Sequence, residues 1–110
     1  MNAIDLTLTD ESCTADLMAT KLAALSHPAR IRILHHLSGQ GACCCKEVVE
    51  HLDLAQSTVS QHLKVLVDAG LVRFSPEQQR SRYTVDRVAV ARLSSAVSTY
   101  FNDVSANCCG

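Results

Sequence analysis

A chain of 110 residues, 47% hydrophobic and 19% charged, is one folded domain by size and balance, so disorder is not the default reading. With 4% aromatics and no Trp, a core of Leu, Val, Ile and Ala in short segments points to a helical domain and away from an all-β sandwich. The net charge of −1 hides an asymmetry: residues 1–16 carry Asp5, Asp10, Glu11 and Asp16 with no Lys or Arg, whereas Lys64, Arg73, Arg80, Arg82, Arg87 and Arg92 outnumber Asp68, Glu77 and Asp86, a local excess suited to phosphate.

Residues 1–13 read as a flexible lead-in. From about Thr14 the apolar positions Met18, Leu22 and Leu25 recur at helical spacing. Ser26-His27-Pro28 ends that helix and starts a second, with Pro28 in its first turn and Ser26 or His27 as cap. Ile33, Leu34 and Leu37 form its buried stripe, and Gly39 with Gly41 closes it. A third short helix covers about 44–52, with Val48, Val49 and Leu52 inward. After the turn Asp53-Leu54-Ala55, a fourth helix over about 56–69 buries Val59, Leu63 and Leu66 and ends at Gly70. Two helices joined so tightly form a helix-turn-helix.

Leu71-Val72-Arg73-Phe74 and Ser81-Arg82-Tyr83-Thr84-Val85 alternate as strands, and the polar run Pro76–Arg80 makes them a hairpin. A hairpin directly after a helix-turn-helix is the winged-helix layout. The last helix runs from about Arg87 to Ser105. Its positions Val90, Leu93, Val97, Tyr100 and Val104 make a seam at 3-4-3-4 spacing, which with Met18 and Leu22 predicts a homodimer interface. The expected fold is therefore mainly α with a small β-hairpin wing. A winged helix-turn-helix domain over 14–105 follows the N-terminal segment and precedes a cysteine-containing tail, 106–110.

No run approaches the roughly 20 apolar residues of a membrane span, and no basic region precedes an apolar stretch as in a secretory leader. A cytoplasmic setting is expected. There six cysteines are better suited to metal binding or redox sensing than to a disulfide framework. Cys-x-x-Cys, a phosphate-cradling Gly-rich loop and an acid–base constellation are all missing, so an enzyme is not expected.

With Val59, Leu63 and Leu66 inward, the fourth helix presents Gln56, Ser57, Thr58, Ser60, Gln61 and Lys64 outward. Short hydroxyls and amides enter a major groove without clash and bond base edges or phosphates. Arg80 and Arg82 of the hairpin stand beside them. The run Leu25-Ser26-His27-Pro28-Ala29-Arg30, the segment Ser57-Thr58-Val59-Ser60-Gln61-His62-Leu63-Lys64-Val65-Leu66 and Ala69-Gly70-Leu71-Val72 together resemble the ArsR/SmtB family of bacterial metal-sensing repressors. The likeness covers about residues 15–105. It implies a homodimer on an inverted-repeat operator in double-stranded DNA, released when an inducer binds. It also implies a recognition helix using Gln56, Ser57, Thr58, Ser60, Gln61 and His62, and a wing using Arg80, Arg82 and Tyr83. Ala55 stands where many members have a capping Ser. For His62 two roles stay open: a phosphate contact, or a partly buried ring bonded to backbone.

Cys43-Cys44-Cys45 opens the third helix, Cys108-Cys109 lies near the C-terminus, and Cys13 stands apart as a packed or surface thiol. Soft thiolates select thiophilic ions, and three of them suit As(III) or Sb(III). Residues i and i+2 share a side of an extended segment but lie about 200° apart on a helix. Clamping Cys43 and Cys45 to one ion therefore unwinds the start of the third helix. The resemblance adds that arsenic-responsive members open this helix with Cys-x-Cys, matched by Cys43 and Cys45. Many carry a further Cys where this chain has Val48, which leaves Cys44, Cys108 or Cys109 to complete the site. The family's alternative zinc site on the last helix is disfavoured, because 86–105 offers only Asp86 and Asp103. The competing reading is a redox or persulfide switch linking Cys43–Cys45 to Cys108–Cys109, which needs two neighbouring reactive thiolates.

Overall fold

The first reversal of the chain is set by His27 and Pro28. In this computed structural model, which describes residues 15–77 and 81–107, α1 (Ala15–Ala24) closes with Ser26 Oγ donating to the Ala23 carbonyl at 2.7 Å. His27 then caps α2 (Pro28–Gln40): its backbone is extended and its Nδ1 accepts the Ala29 N–H at 3.1 Å. Pro28 at the first position lacks only a donor that would have gone unused. Gly41 ends α2 with φ 77, a conformation that a Cβ would strain; Gly39 lies inside the helix.

Cys44 is the N-cap of α3 (Cys45–Leu52). Its N–H donates to Glu47 Oε1 at 2.8 Å, so Glu47 at the third helical position completes a capping box. The helix stops at Asp53, in the left-handed region with φ 57, whose N–H returns to the Val49 carbonyl at 3.0 Å. Helix α4 (Gln56–Asp68) starts at Ala55 without a side-chain cap. Its far end is better held: Lys21 Nζ of α1 donates to the Ala69 carbonyl at 2.7 Å, a cation placed at the negative end of the helix.

Strands β1 (Val72–Pro76) and β2 (Ser81–Val85) pair antiparallel, with Val72 opposite Val85 and Phe74 opposite Tyr83. The first strand is thus shifted from the expected 71–74, because Leu71 is fully buried ahead of the ladder and Pro76 still pairs with Ser81. Asp86 then starts α5 (Arg87–Asn107), its Oδ1 accepting the Ala89 N–H at 3.1 Å. That helix reaches two residues past Ser105, into the expected tail; the rest of the tail and the 1–13 segment lie outside the described residues.

The core is where α2, α3 and α4 converge. Ile33, Leu37, Val48, Val59, Leu63, Leu66 and Leu71 are all sealed from solvent. Leu93 and Ala96 are the buried residues of α5, and Val90 and Val97 sit half-buried on the same core with Met18. Burial then fades: Tyr100, Phe101 and Val104 are exposed, as are Val88 and Leu22. The expected seam therefore divides. Leu93 is spent on the chain's own core, which leaves a partner little of it to touch, while Tyr100 and Val104 remain outward.

Candidate nucleic-acid interface and thiol cluster

Helix α4 presents Gln56, Ser57, Ser60, Gln61 and Lys64 to solvent, with Thr58 half-buried at the edge of that face. Lys64 makes only an exposed 3.3 Å pair with Asp68 one turn on, which leaves its charge free to move. His62 departs from this set. It is 8% exposed, its Nδ1 accepts from Arg30 Nε at 3.1 Å, and its ring tilts against that of His27 at 4.5 Å. Burial first, then the His27 and Arg30 charges, hold its pKa below the ordinary value. An Nδ1 that accepts from guanidinium belongs to a neutral ring. Of the two roles open for His62, the geometry gives the inward one, with Arg30 in place of backbone as its partner. Arg30 also reaches the Ala23 carbonyl at 3.4 Å, joining α1, α2 and α4.

In the wing, Arg80 lies outside the described residues. Arg82 is engaged from three sides: Nη1 with the Ala42 carbonyl at 3.3 Å and Glu47 Oε1 at 3.4 Å, and Nε with Glu77 Oε1 at 3.4 Å. Tyr83 is half-buried against the core and tilts on Phe74 at 5.5 Å. Its phenol is pushed up in pKa by burial and then by Cys45, which places it toward the thiols.

The three vicinal thiols differ. Cys43 and Cys44 are buried, and Cys45 is partly exposed. Cys43 makes an isolated antiparallel bridge with Tyr83: its N–H donates to the Tyr83 carbonyl at 3.0 Å and its carbonyl accepts the Tyr83 N–H at 2.7 Å. Burial, Glu47 and Cys44 raise its thiol pKa, and Arg82 opposes them. Cys45 points elsewhere. Its Sγ lies 3.5 Å from Ser60 Oγ and 4.0 Å from the Gln56 carbonyl, on α4. Among the described residues, no three His, Cys, Asp or Glu side chains converge on one point; Cys13, Cys108 and Cys109 lie outside them. The soft donors Cys43 and Cys45 border the same core cluster and fit a thiophilic ion in chemistry, while Cys44 is occupied at the helix cap.

Sequence reasoning passed over Arg30 and Glu47. Glu47 had a signal, since Cys44-x-x-Glu47 has capping-box spacing. Arg30 had none, because its partner comes from a helix 32 residues away. The half-buried His36 and the exposed His51 stack across α2 and α3 with ring centroids 4.1 Å apart.

A helix-turn-helix domain family matches residues 25–73. The chain is 32% identical over 88 residues to the HTH-type transcriptional regulator YgaV of Escherichia coli, covering 80% of this chain and 89% of that one. It is 32% identical to the arsenical resistance operon repressor of Bacillus subtilis over 68% of this chain and 71% of the other. Its fold superposes on an ArsR-like transcriptional regulator from Rhodococcus sp. RHA1 with TM-score 0.72 and 20% identity, covering 82% and 84% of the two chains. No helix among the described residues is long and apolar enough to cross a membrane. The outward polar face of α4, the hairpin beside it and these likenesses are those of a DNA-binding regulator and not of an enzyme: the chain belongs to the ArsR/SmtB family of winged-helix transcriptional regulators.

Proposed function

We propose that this protein is a cytoplasmic homodimeric repressor that leaves its operator when As(III) or Sb(III) is ligated by cysteine thiolates. The observation that carries the reading is the contact of Cys45 Sγ with Ser60 Oγ. A thiol at the start of the supporting helix touches the outward face of the helix that enters the groove. Each sulfur that joins arsenite forms an As–S bond as one hydroxide of As(OH)3 leaves with the thiol proton as water. Cys43 and Cys45 are the donors, completed by Cys108 or Cys109. Drawing Cys43 and Cys45 to one centre pulls Cys45 away from Ser60 and unwinds the first turn of α3. A coupling of about 1–3 kcal/mol between inducer and DNA is the usual scale of such a switch.

The DNA-facing set is Gln56, Ser57, Thr58, Ser60, Gln61 and Lys64, with the wing alongside. In a dimer two copies of α4 reach successive major grooves about 10 base pairs apart on an inverted repeat. The outward apolar residues Leu22, Tyr100 and Val104, with Val88 and Phe101 that the seam did not include, supply the dimer contact. The arsenical resistance operon repressor among the relatives supports the inducer class.

Anisotropy of a labelled operator duplex, with reduced protein under anaerobic conditions, tests the reading against separate titrations of arsenite and a persulfide donor. Release by arsenite with no disulfide formed supports it. Release by the persulfide donor alone, reversed by dithiothreitol, replaces it with the redox switch.

A further inference from the structure

We propose that Arg82 is a positioning residue and not a phosphate contact: its guanidinium latches the wing to the start of α3, so that the thiol site and the wing move as one unit. The proposal rests on the operator-binding reading above.

The three partners of Arg82 come from separate places. Ala42 precedes the bridging Cys43, Glu47 is the residue whose Oε1 also accepts the Cys44 N–H, and Glu77 follows β1. Next to Arg82, Tyr83 exchanges backbone hydrogen bonds with Cys43. Strand β2 is thus joined to the α3 start at two adjacent residues, by side chain at Arg82 and by backbone at Tyr83. Spreading across a carbonyl and two carboxylates uses the planar fork of guanidinium, which an ammonium cannot reproduce. The Arg82 side chain is 31% exposed, against 76% for Lys64 and 69% for Arg73. Lys64 and Arg73 each hold a single carboxylate, Asp68 and Asp86, at 3.3 Å and are otherwise open to solvent, whereas Arg82 is drawn in by three partners. The latch also runs toward the thiols, since the Ala42 carbonyl that Arg82 holds belongs to the residue before Cys43, and the Glu47 Oε1 it reaches also accepts the Cys44 N–H. A group bound at Cys43 displaces its neighbours Ala42 and Glu47, and through Arg82 the wing.

The test uses the reduced full-length chain and a duplex selected from a random pool by the wild-type protein. Binding is measured across a salt series for wild type, Arg82→Gln, Arg82→Lys, Glu47→Gln and the Arg82→Gln/Glu47→Gln double variant. Glu47→Gln keeps an oxygen for the Cys44 N–H and removes only the charge. A latch predicts that both Arg82 variants weaken binding by about five-fold, the low end of allosteric couplings. Glu47→Gln weakens it too, the double variant is no worse than Arg82→Gln alone, and the slope of log K against log salt stays at the wild-type value. Amide hydrogen exchange at Cys43 and Tyr83 quickens in Arg82→Gln.

A phosphate contact predicts the reverse and overturns the proposal. Arg82→Lys then binds like wild type, Glu47→Gln binds no worse or tighter, Arg82→Gln alone lowers the salt slope by about one, and exchange is unchanged. An added arsenite arm separates the two readings. Wild type that ignores arsenite removes the inducer, while salt slopes, mutant cycle and exchange still decide the role of Arg82. Where arsenite does release wild type, the latch requires a smaller fold-release in Arg82→Gln.

Discussion

The Cys45 thiol stands 3.5 Å from the Ser60 hydroxyl, so the first residue of α3 touches the outward polar face of α4. No relay is needed between a chemical event at this sulfur and the recognition helix.

Cys45→Ser keeps a small polar group against Ser60 but cannot form an As–S bond. Operator affinity is expected to stay within about two-fold of wild type, while the inducer coupling of about 1–3 kcal/mol disappears. Anisotropy with and without arsenite measures both. Full release at the wild-type arsenite concentration would remove Cys45 from the ligand set.

Gln61→Ala removes an exposed amide from the middle of the α4 face. It is expected to cost about 1–3 kcal/mol of operator binding if the amide reads a base edge, with the urea midpoint unchanged. Lys64→Ala instead should weaken all duplexes alike and lower the salt slope by about one. Equal losses on operator and unrelated DNA for Gln61→Ala would assign it to backbone.

Leu63 is fully buried beneath that face. Leu63→Ala leaves a cavity among α2, α3 and α4 and is expected to destabilise the fold by about 2–5 kcal/mol, read by circular dichroism in urea. A loss below the cost of one methylene would mean that the core refills the space.

His62 sits below the ordinary imidazole value of 6.5, chiefly through burial. Unfolding restores that value, so the unfolded chain binds more protons in the window just below it. Stability that is complete above pH 6.5 is then lost as the pH falls. His36, lowered by burial and His51 against an opposing Glu47, adds in the same direction. The urea midpoint should fall on acidification through this range, and His62→Gln should flatten the fall. A steeper fall in the variant would contradict the sign.

Val104→Glu puts a charge on the exposed apolar end of α5. Sedimentation should show a shift from dimer toward monomer, with operator affinity lost in parallel and the helical signal retained. An unchanged dimer would move the interface elsewhere.

The sequence by itself determined most of the local architecture. Pro28, Gly41 and Gly70 bound their helices through backbone preferences that act within a turn. The 3.6-residue spacing of Val59, Leu63 and Leu66 fixed which side of α4 faces out. Alternation set the existence of both strands. These signals are short-range, so neighbouring residues suffice to read them.

The tertiary structure alone decided what distant segments do to one another. His62 turned inward because Arg30 and His27 of another helix surround it. Arg82 became tied because Glu47 and the carbonyl before Cys43 reach it across the α3 start. Cys43, Cys44 and Cys45 are adjacent in sequence yet separated in role: one bridges the wing, one caps a helix, and one touches Ser60. The seam of α5 divided because the first half of the helix lies over the core and the second half extends beyond it. Periodicity records which face of an element is apolar; which neighbour covers that face is set only when the elements pack.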